Sequence, residues 1–254
     1  MIDSADLITK FIFPTELLFA AFAYMFPLPK RKGYIKRFFA GIFVYFACIG
    51  LYNAGAGVLF LTDGDWINTI AYVFFFLFPF LLAAAVVLFC CDVALIDAAH
   101  CTAFAYATQH IAYCLHRIAF HVEDPTSLDR YSVGYFVVYG TVYVAFYHIF
   151  AKGIIQAKRT DNGGHLSIRY TLGTLLVTLA LSTYSQYFEQ ESRALYTITM
   201  MYAMFCCIVL LYSQLYQFRM LNLQNELNLQ QRLWQERKTQ YELSKENIEL
   251  INQA

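Results

Sequence analysis

The sequence predicts an all-α, polytopic membrane protein: a seven-helix transmembrane bundle followed by a long cytoplasmic coiled-coil helix. Three observations carry this. Of 254 residues, 59% are hydrophobic and only 14% are charged, far too apolar for an ordinary soluble domain. Runs of about twenty apolar residues recur along the chain, the length a helix needs to cross a bilayer. At Tyr216 the composition then changes abruptly to Gln, Glu, Asn, Leu and Lys with no Gly or Pro. The balance of 18 basic and 18 acidic residues argues against a nucleic-acid partner.

The apolar runs predict spans at roughly 7–27, 38–62, 66–90, 93–120, 132–152, 168–188 and 192–216. Asp3 and Asp6 stand where a signal peptide needs basic residues, so the first span is expected to be retained. Lys30, Arg31, Lys32, Lys36 and Arg37 follow span 1, and Lys152, Lys158 and Arg159 follow span 5. The bias of cytoplasmic loops toward positive charge puts both inside. The other loops are acidic, with Asp63 and Asp65, then Glu123, Asp124 and Asp129, then Glu189 and Glu191, and are expected outside. Seven spans then place the N-terminus outside and the C-terminus in the cytoplasm. The short turn at Cys90–Asp92 carries no orienting charge excess. The division predicted is a seven-span transmembrane domain over 1–216 and a cytoplasmic dimerising helix over 217–254.

Spans 1, 3 and 7 read as plain apolar helices, with Pro79 expected to kink the third. Span 2 carries "GLYNAGAG", small residues that admit a neighbouring backbone. Span 4 differs, holding Asp97, His100, Gln109, His110, His116 and Arg117. Ionisable groups at membrane depth cost several kcal/mol unless paired, which predicts a helix buried among the others. His110, Cys114 and Arg117 share one face; Asp97, Cys101, Phe104 and Thr108 share another, so several neighbours are expected. Glu16, just after Pro14 in span 1, needs a donor or cation, and His110 is the expected partner. In span 5, Tyr131, Tyr135, Tyr139, Tyr143 and Tyr147 recur every fourth residue and form a ridge of rings. Candidates for a ligand site or polar core are therefore Glu16, Asp97, His100, Gln109, His110, Arg117, Tyr135 and Tyr139. The acidic outer face would draw in a cationic or peptide ligand.

No catalytic residue is expected. His100 and His110 lie about 280° apart around their helix and do not converge on one metal or haem. No Ser/His/Asp set or glycine-rich phosphate loop stands in a fitting context, so no metal and no cofactor is assigned to this chain. All seven cysteines (Cys48, Cys90, Cys91, Cys101, Cys114, Cys206 and Cys207) fall in or at the edges of apolar runs, so no disulfide framework is expected. A transporter or channel is the competing reading, but inverted repeats and paired broken helices are not found.

Beyond Tyr216 a heptad register fits. Met220, Leu227, Trp234, Tyr241 and Ile248 take position a, and Tyr216, Leu223, Gln230, Arg237, Ser244 and Ile251 take position d. This predicts a parallel two-helix coiled coil, a homodimer of moderate stability, because Gln230, Arg237 and Ser244 weaken the seam. A monomeric helix lying on the membrane fits less well, because basic residues are sparse.

The segment "QERKTQYELSKENIELINQA" resembles the linker of bacterial sensor histidine kinases with GHKL-type ATPase domains, above all the peptide-quorum-receptor type. "AYATQHIAY" of span 4 is similar to a segment of their membrane domains. The resemblance implies a bacterial cell-membrane receptor for an extracellular or membrane ligand such as a peptide. It also implies a phosphoacceptor motif soon after such a linker, an ATP- and Mg-dependent kinase domain, and a cognate response regulator. None of His100, His110, His116, His121, His148 and His165 lies in the cytoplasmic helix. The chain therefore reads as the sensor portion, cut before its phosphotransfer domain.

Overall fold

The computed structural model describes residues 4–59, 65–120, 133–151, 168–187 and 193–253. Within these the chain is all-helical: α1 (Ser4–Met25), α2 (Tyr34–Leu59), α3 (Asp65–Cys90), α4 (Leu95–Phe120), α5 (Val133–Phe146), α6 (Ile168–Tyr187) and α7 (Arg193–Gln253). One π-helical turn, Tyr147–Ala151, prolongs α5. Pro14 and Pro79 both sit inside their helices, which continue through them.

Among the described residues, four helices hold a stretch long and apolar enough to cross a membrane: Tyr34–Ala54, Val73–Cys90, Val133–Phe150 and Leu195–Tyr216. That is the make-up of a membrane protein. In α1 and α6 the apolar stretches are shorter, Phe11–Met25 and Thr171–Thr183. α4 falls outside both groups, and its position gives the reason. It packs against α1, α3, α5, α6 and α7, and every residue from His100 to Ala112 is buried. A helix wrapped by protein meets little lipid, so its polar groups need only satisfy their neighbours. Alanines at 98, 103, 105, 107 and 112 keep its surface thin, which lets several helices approach. α2 stands at the edge, mainly against α3.

Aromatic rings fill the space between α1, α3 and α4. Phe13 meets Phe76 edge-on at 5.0 Å and Tyr106 at 5.6 Å, and Tyr24 stacks on Phe104 at 5.7 Å. Such pairs add to plain burial because ring edges and faces carry opposite partial charge. At Gly134 a side chain would displace the Phe120 ring, so glycine is what lets that ring lie over the start of α5.

The basic turn after α1 is tied to the α3–α4 turn. Lys30 forms an isolated antiparallel bridge with Cys91, the Arg31 amide donates to the Cys90 carbonyl at 3.1 Å, and the Asp92 amide donates to Pro29 at 2.9 Å. Both turns thus occupy one end of the bundle, and Cys90–Asp92 joins the end that carries the positive charge. Lys30 Nζ donates to the carbonyls of Met25, Phe26 and Leu28 at 2.7, 2.7 and 2.8 Å. A cation there meets carbonyls at the negative end of the helix dipole. Partial burial pulls the Lys30 amine below the ordinary lysine range, against which these three carbonyls favour its charged form. Gly33, at φ 75°, reverses the chain into α2 in a conformation that favours glycine. Lys30→Met should cost about 1–2 kcal/mol by leaving these carbonyls uncapped. A lowered detergent melting temperature, partly restored in Lys30→Arg, is the expected reading.

Candidate functional site

Glu16 lies on the face of α1 turned to α4 and α5 and is only 5% exposed. Gln109 Nε2 of α4 donates to its Oε2 at 2.7 Å, and the Tyr135 hydroxyl of α5 donates to Oε1 at 2.7 Å. The Tyr143 hydroxyl donates to the Glu16 backbone carbonyl at 2.9 Å. Two tyrosines eight residues apart reach one glutamate for a geometric reason. α1 and α5 run parallel, as the Glu16–Tyr135 and Phe26–Tyr147 contacts require. Helical side chains tilt toward the N-terminus while carbonyls point the other way. The carboxylate therefore meets the earlier tyrosine and the carbonyl the later one. Short bonds to a charged acceptor are the strong kind, and they offset much of the cost of burying it.

The tyrosine ridge continues from this point. Tyr135 and Tyr139 lie with ring centroids 4.4 Å apart, and Tyr143 meets Tyr139 at 5.8 Å. Buried His116 sits against the ridge, edge-on to Tyr135 at 5.4 Å and 6.2 Å from Tyr139. Tyr131, the first rung, lies outside the described residues.

The expected Glu16–His110 pair does not form. Gln109 takes the α1-facing side of α4. One residue on, about 100° round the helix, His110 faces α6, where the Ser182 hydroxyl lies 3.2 Å from Nδ1. His110 and Arg117 do share a side, as their spacing predicts. Arg117 Nε donates to the Tyr196 hydroxyl of α7 at 2.7 Å, and the guanidinium lies over the rings of Tyr113 and Tyr196. Cys114, between them, packs with Met200 and Ala203 of α7.

His100 lies apart from both groups, with Nδ1 3.0 Å from the Thr171 hydroxyl of α6. Asp97, half-buried in the first turn of α4, stands where a carboxylate favours the helix dipole. On the Asp97 face, Thr108 and the Tyr24 hydroxyl of α1 are 2.8 Å apart. The eight candidates thus divide. Glu16, Gln109, Tyr135 and Tyr139 come together with Tyr143 and His116, whereas His110, Arg117, His100 and Asp97 lie on other faces of α4.

Five partners are not named by the sequence pattern: Ser182 and Thr171, which answer His110 and His100, Tyr196, which accepts from Arg117, Tyr24, which meets Thr108, and Tyr45 of α2, whose hydroxyl donates to the Pro14 carbonyl at 2.9 Å. Buried Thr171, Thr174, Thr178 and Ser182 recur at steps of three and four along α6, a polar stripe legible in advance as the face turned to α4. Chemically, the cluster is a clamp: three helices meet on one carboxylate through neutral donors. His121 and His165, and the loop acids apart from Asp65, lie outside the described residues; Asp65 is described only as the first residue of α3. Comparison with protein-family models, with curated proteins and with solved structures found no match to this chain.

Proposed function

We propose that this chain is the receptor module of a bacterial sensor histidine kinase of the GHKL type, similar to the peptide-quorum receptors. Seven spans, with the N-terminus outside and the C-terminus cytoplasmic, hold a ligand-responsive bundle around α4. The observation that carries this reading is α7. It runs unbroken for 61 residues, contacting α4 and α6 in its first half. Its second half projects away with residues 226–248 all exposed. At about 1.5 Å per residue, the part beyond Tyr216 spans more than about 50 Å. A rod of this kind carries piston, rotation or bending from the bundle to whatever follows.

The a/d residues Met220, Leu223, Leu227, Trp234, Tyr241, Ile248 and Ile251 are all exposed in the single chain, as a dimer seam requires. In this reading the polar clamp on Glu16 holds α1, α4 and α5 in one arrangement. A small peptide or another ligand drawn by the acidic outer face shifts that arrangement. The output is autophosphorylation in a domain that binds ATP and Mg, and the phosphoryl group then passes to a response regulator.

The reading frame beyond Ala254 tests this. A histidine-containing phosphoacceptor motif followed by an ATP-binding domain is expected, and membranes carrying the whole gene product should incorporate label from γ-labelled ATP into histidine. A stop codon, or a gene product that stays unlabelled, would replace the kinase reading with a stand-alone membrane regulator.

A further inference from the structure

We propose that the dimer seam does not start at the membrane surface but continues through the bilayer along the outer face of α7, so that α7 and its copy pair over most of their length. This rests on the dimeric reading of the cytoplasmic helix and extends it. Carried back past Tyr216, the same heptad register puts Tyr202, Val209 and Tyr216 at d and Cys206 and Ser213 at a. The side of α7 turned to α4 and α6 is sealed: Met200, Ala203, Cys207 and Leu211 are all 0% exposed. The d residues face the other way, with Tyr202 at 64%, Val209 at 48% and Tyr216 at 57%. Ser213 is likewise exposed, and Cys206 is half-buried. One stripe, in one register, therefore runs down a single unbroken helix from the membrane stretch Leu195–Tyr216 into the cytoplasmic seam.

Polarity argues that protein rather than lipid covers this stripe. Tyr202 lies about 14 Å along α7 from its start, well inside the hydrocarbon layer. There an outward phenol finds only the weak thiol of Cys206, one turn further along the same stripe, and lipid offers it no better partner. Hydroxyls and small side chains are what transmembrane helices place against one another. A second copy is the occupant that fits, because the stripe is continuous with a seam whose partner is that same helix, and because no charged residue interrupts it between Tyr202 and Tyr216.

Cys206 makes this testable without engineering a reporter. Facing a and d positions of a parallel pair bring Cα atoms within the separation a disulfide spans. Membranes treated with copper phenanthroline and oxygen should yield a cross-linked dimer on non-reducing gels, abolished in Cys206→Ala and unchanged in Cys48→Ala. In the Cys206→Ala background, Val209→Cys should restore the dimer at least tenfold over Ile208→Cys, which faces outward but lies off the seam. Ile248→Cys, also in the Cys206→Ala background, reads the cytoplasmic seam separately. Cross-linking through Ile248→Cys but through neither Cys206 nor Val209→Cys would overturn the membrane seam and leave the cytoplasmic dimer standing. Cross-linking through none of the three would overturn both.

Discussion

On the proposed receptor reading, two glycines inserted after Tyr216 are expected to disconnect the bundle from its output, so that phosphorylation of the whole gene product no longer responds to changes in the membrane domain. The mechanism is mechanical. Each glycine lowers helix stability by about 1 kcal/mol relative to alanine, and two together make a weak joint in a rod that otherwise has none. They also turn everything downstream by about 200° relative to the spans, which moves the a/d stripe off the axis. The comparison needs no identified ligand. If Glu16→Ala shifts basal phosphorylation in the parent chain, the same substitution should leave it unchanged in the insertion variant. A seven-residue helical insert at the same place, which keeps register and stiffness, should restore the response. Full sensitivity to Glu16→Ala in the two-glycine variant would end the continuous-rod account.

Glu16→Ala should be among the most destabilising single changes in the bundle. It removes the acceptor for both Gln109 Nε2 and the Tyr135 hydroxyl, which are buried and cannot turn to water. Each orphaned donor costs about 1–3 kcal/mol, so a loss of about 3 kcal/mol is expected, read as a clear drop in the melting temperature of the detergent-solubilised protein. Tyr135→Phe alone should cost less, because it leaves one carboxylate oxygen short of a donor rather than two donors without an acceptor. The double variant should be less destabilised than the sum of the singles by about 1–2 kcal/mol, since both remove the same bond. Strict additivity would mean that the two side chains do not interact, and a Glu16→Ala protein melting with the parent would remove the clamp from the account.

Much of this architecture was legible in advance. The helix bounds follow from where apolar runs stop, so α1, α3, α4 and α6 begin and end within a few residues of the expected spans, as do α5 taken with its π turn and the start of α7. The central place of α4 was legible from its polar residues, because a helix bearing Asp97, His100, Gln109, His110 and Arg117 is unfit to face lipid. The tyrosine ridge was legible from its four-residue spacing. The partner of Glu16 was not. Gln109 and His110 are adjacent in sequence and sit at the same depth, and choosing between them depends on the rotation of α4 about its own axis. That rotation is set by five neighbours at once.

The same distinction runs through the whole molecule. Period, polarity and length belong to a single segment, and they determined which stretches are helical, which helix sits in the middle and where α7 changes from apolar to polar. Azimuth and register between helices belong to pairs of segments, and only packing decided them. Ring volumes such as Phe13 against Tyr106, close approaches such as Phe120 over Gly134, and the parallel run of α1 beside α5 set which polar atoms meet. A rotation of 100°, one residue's worth, would have put His110 where Gln109 now holds the carboxylate, and nothing local to either residue opposes it.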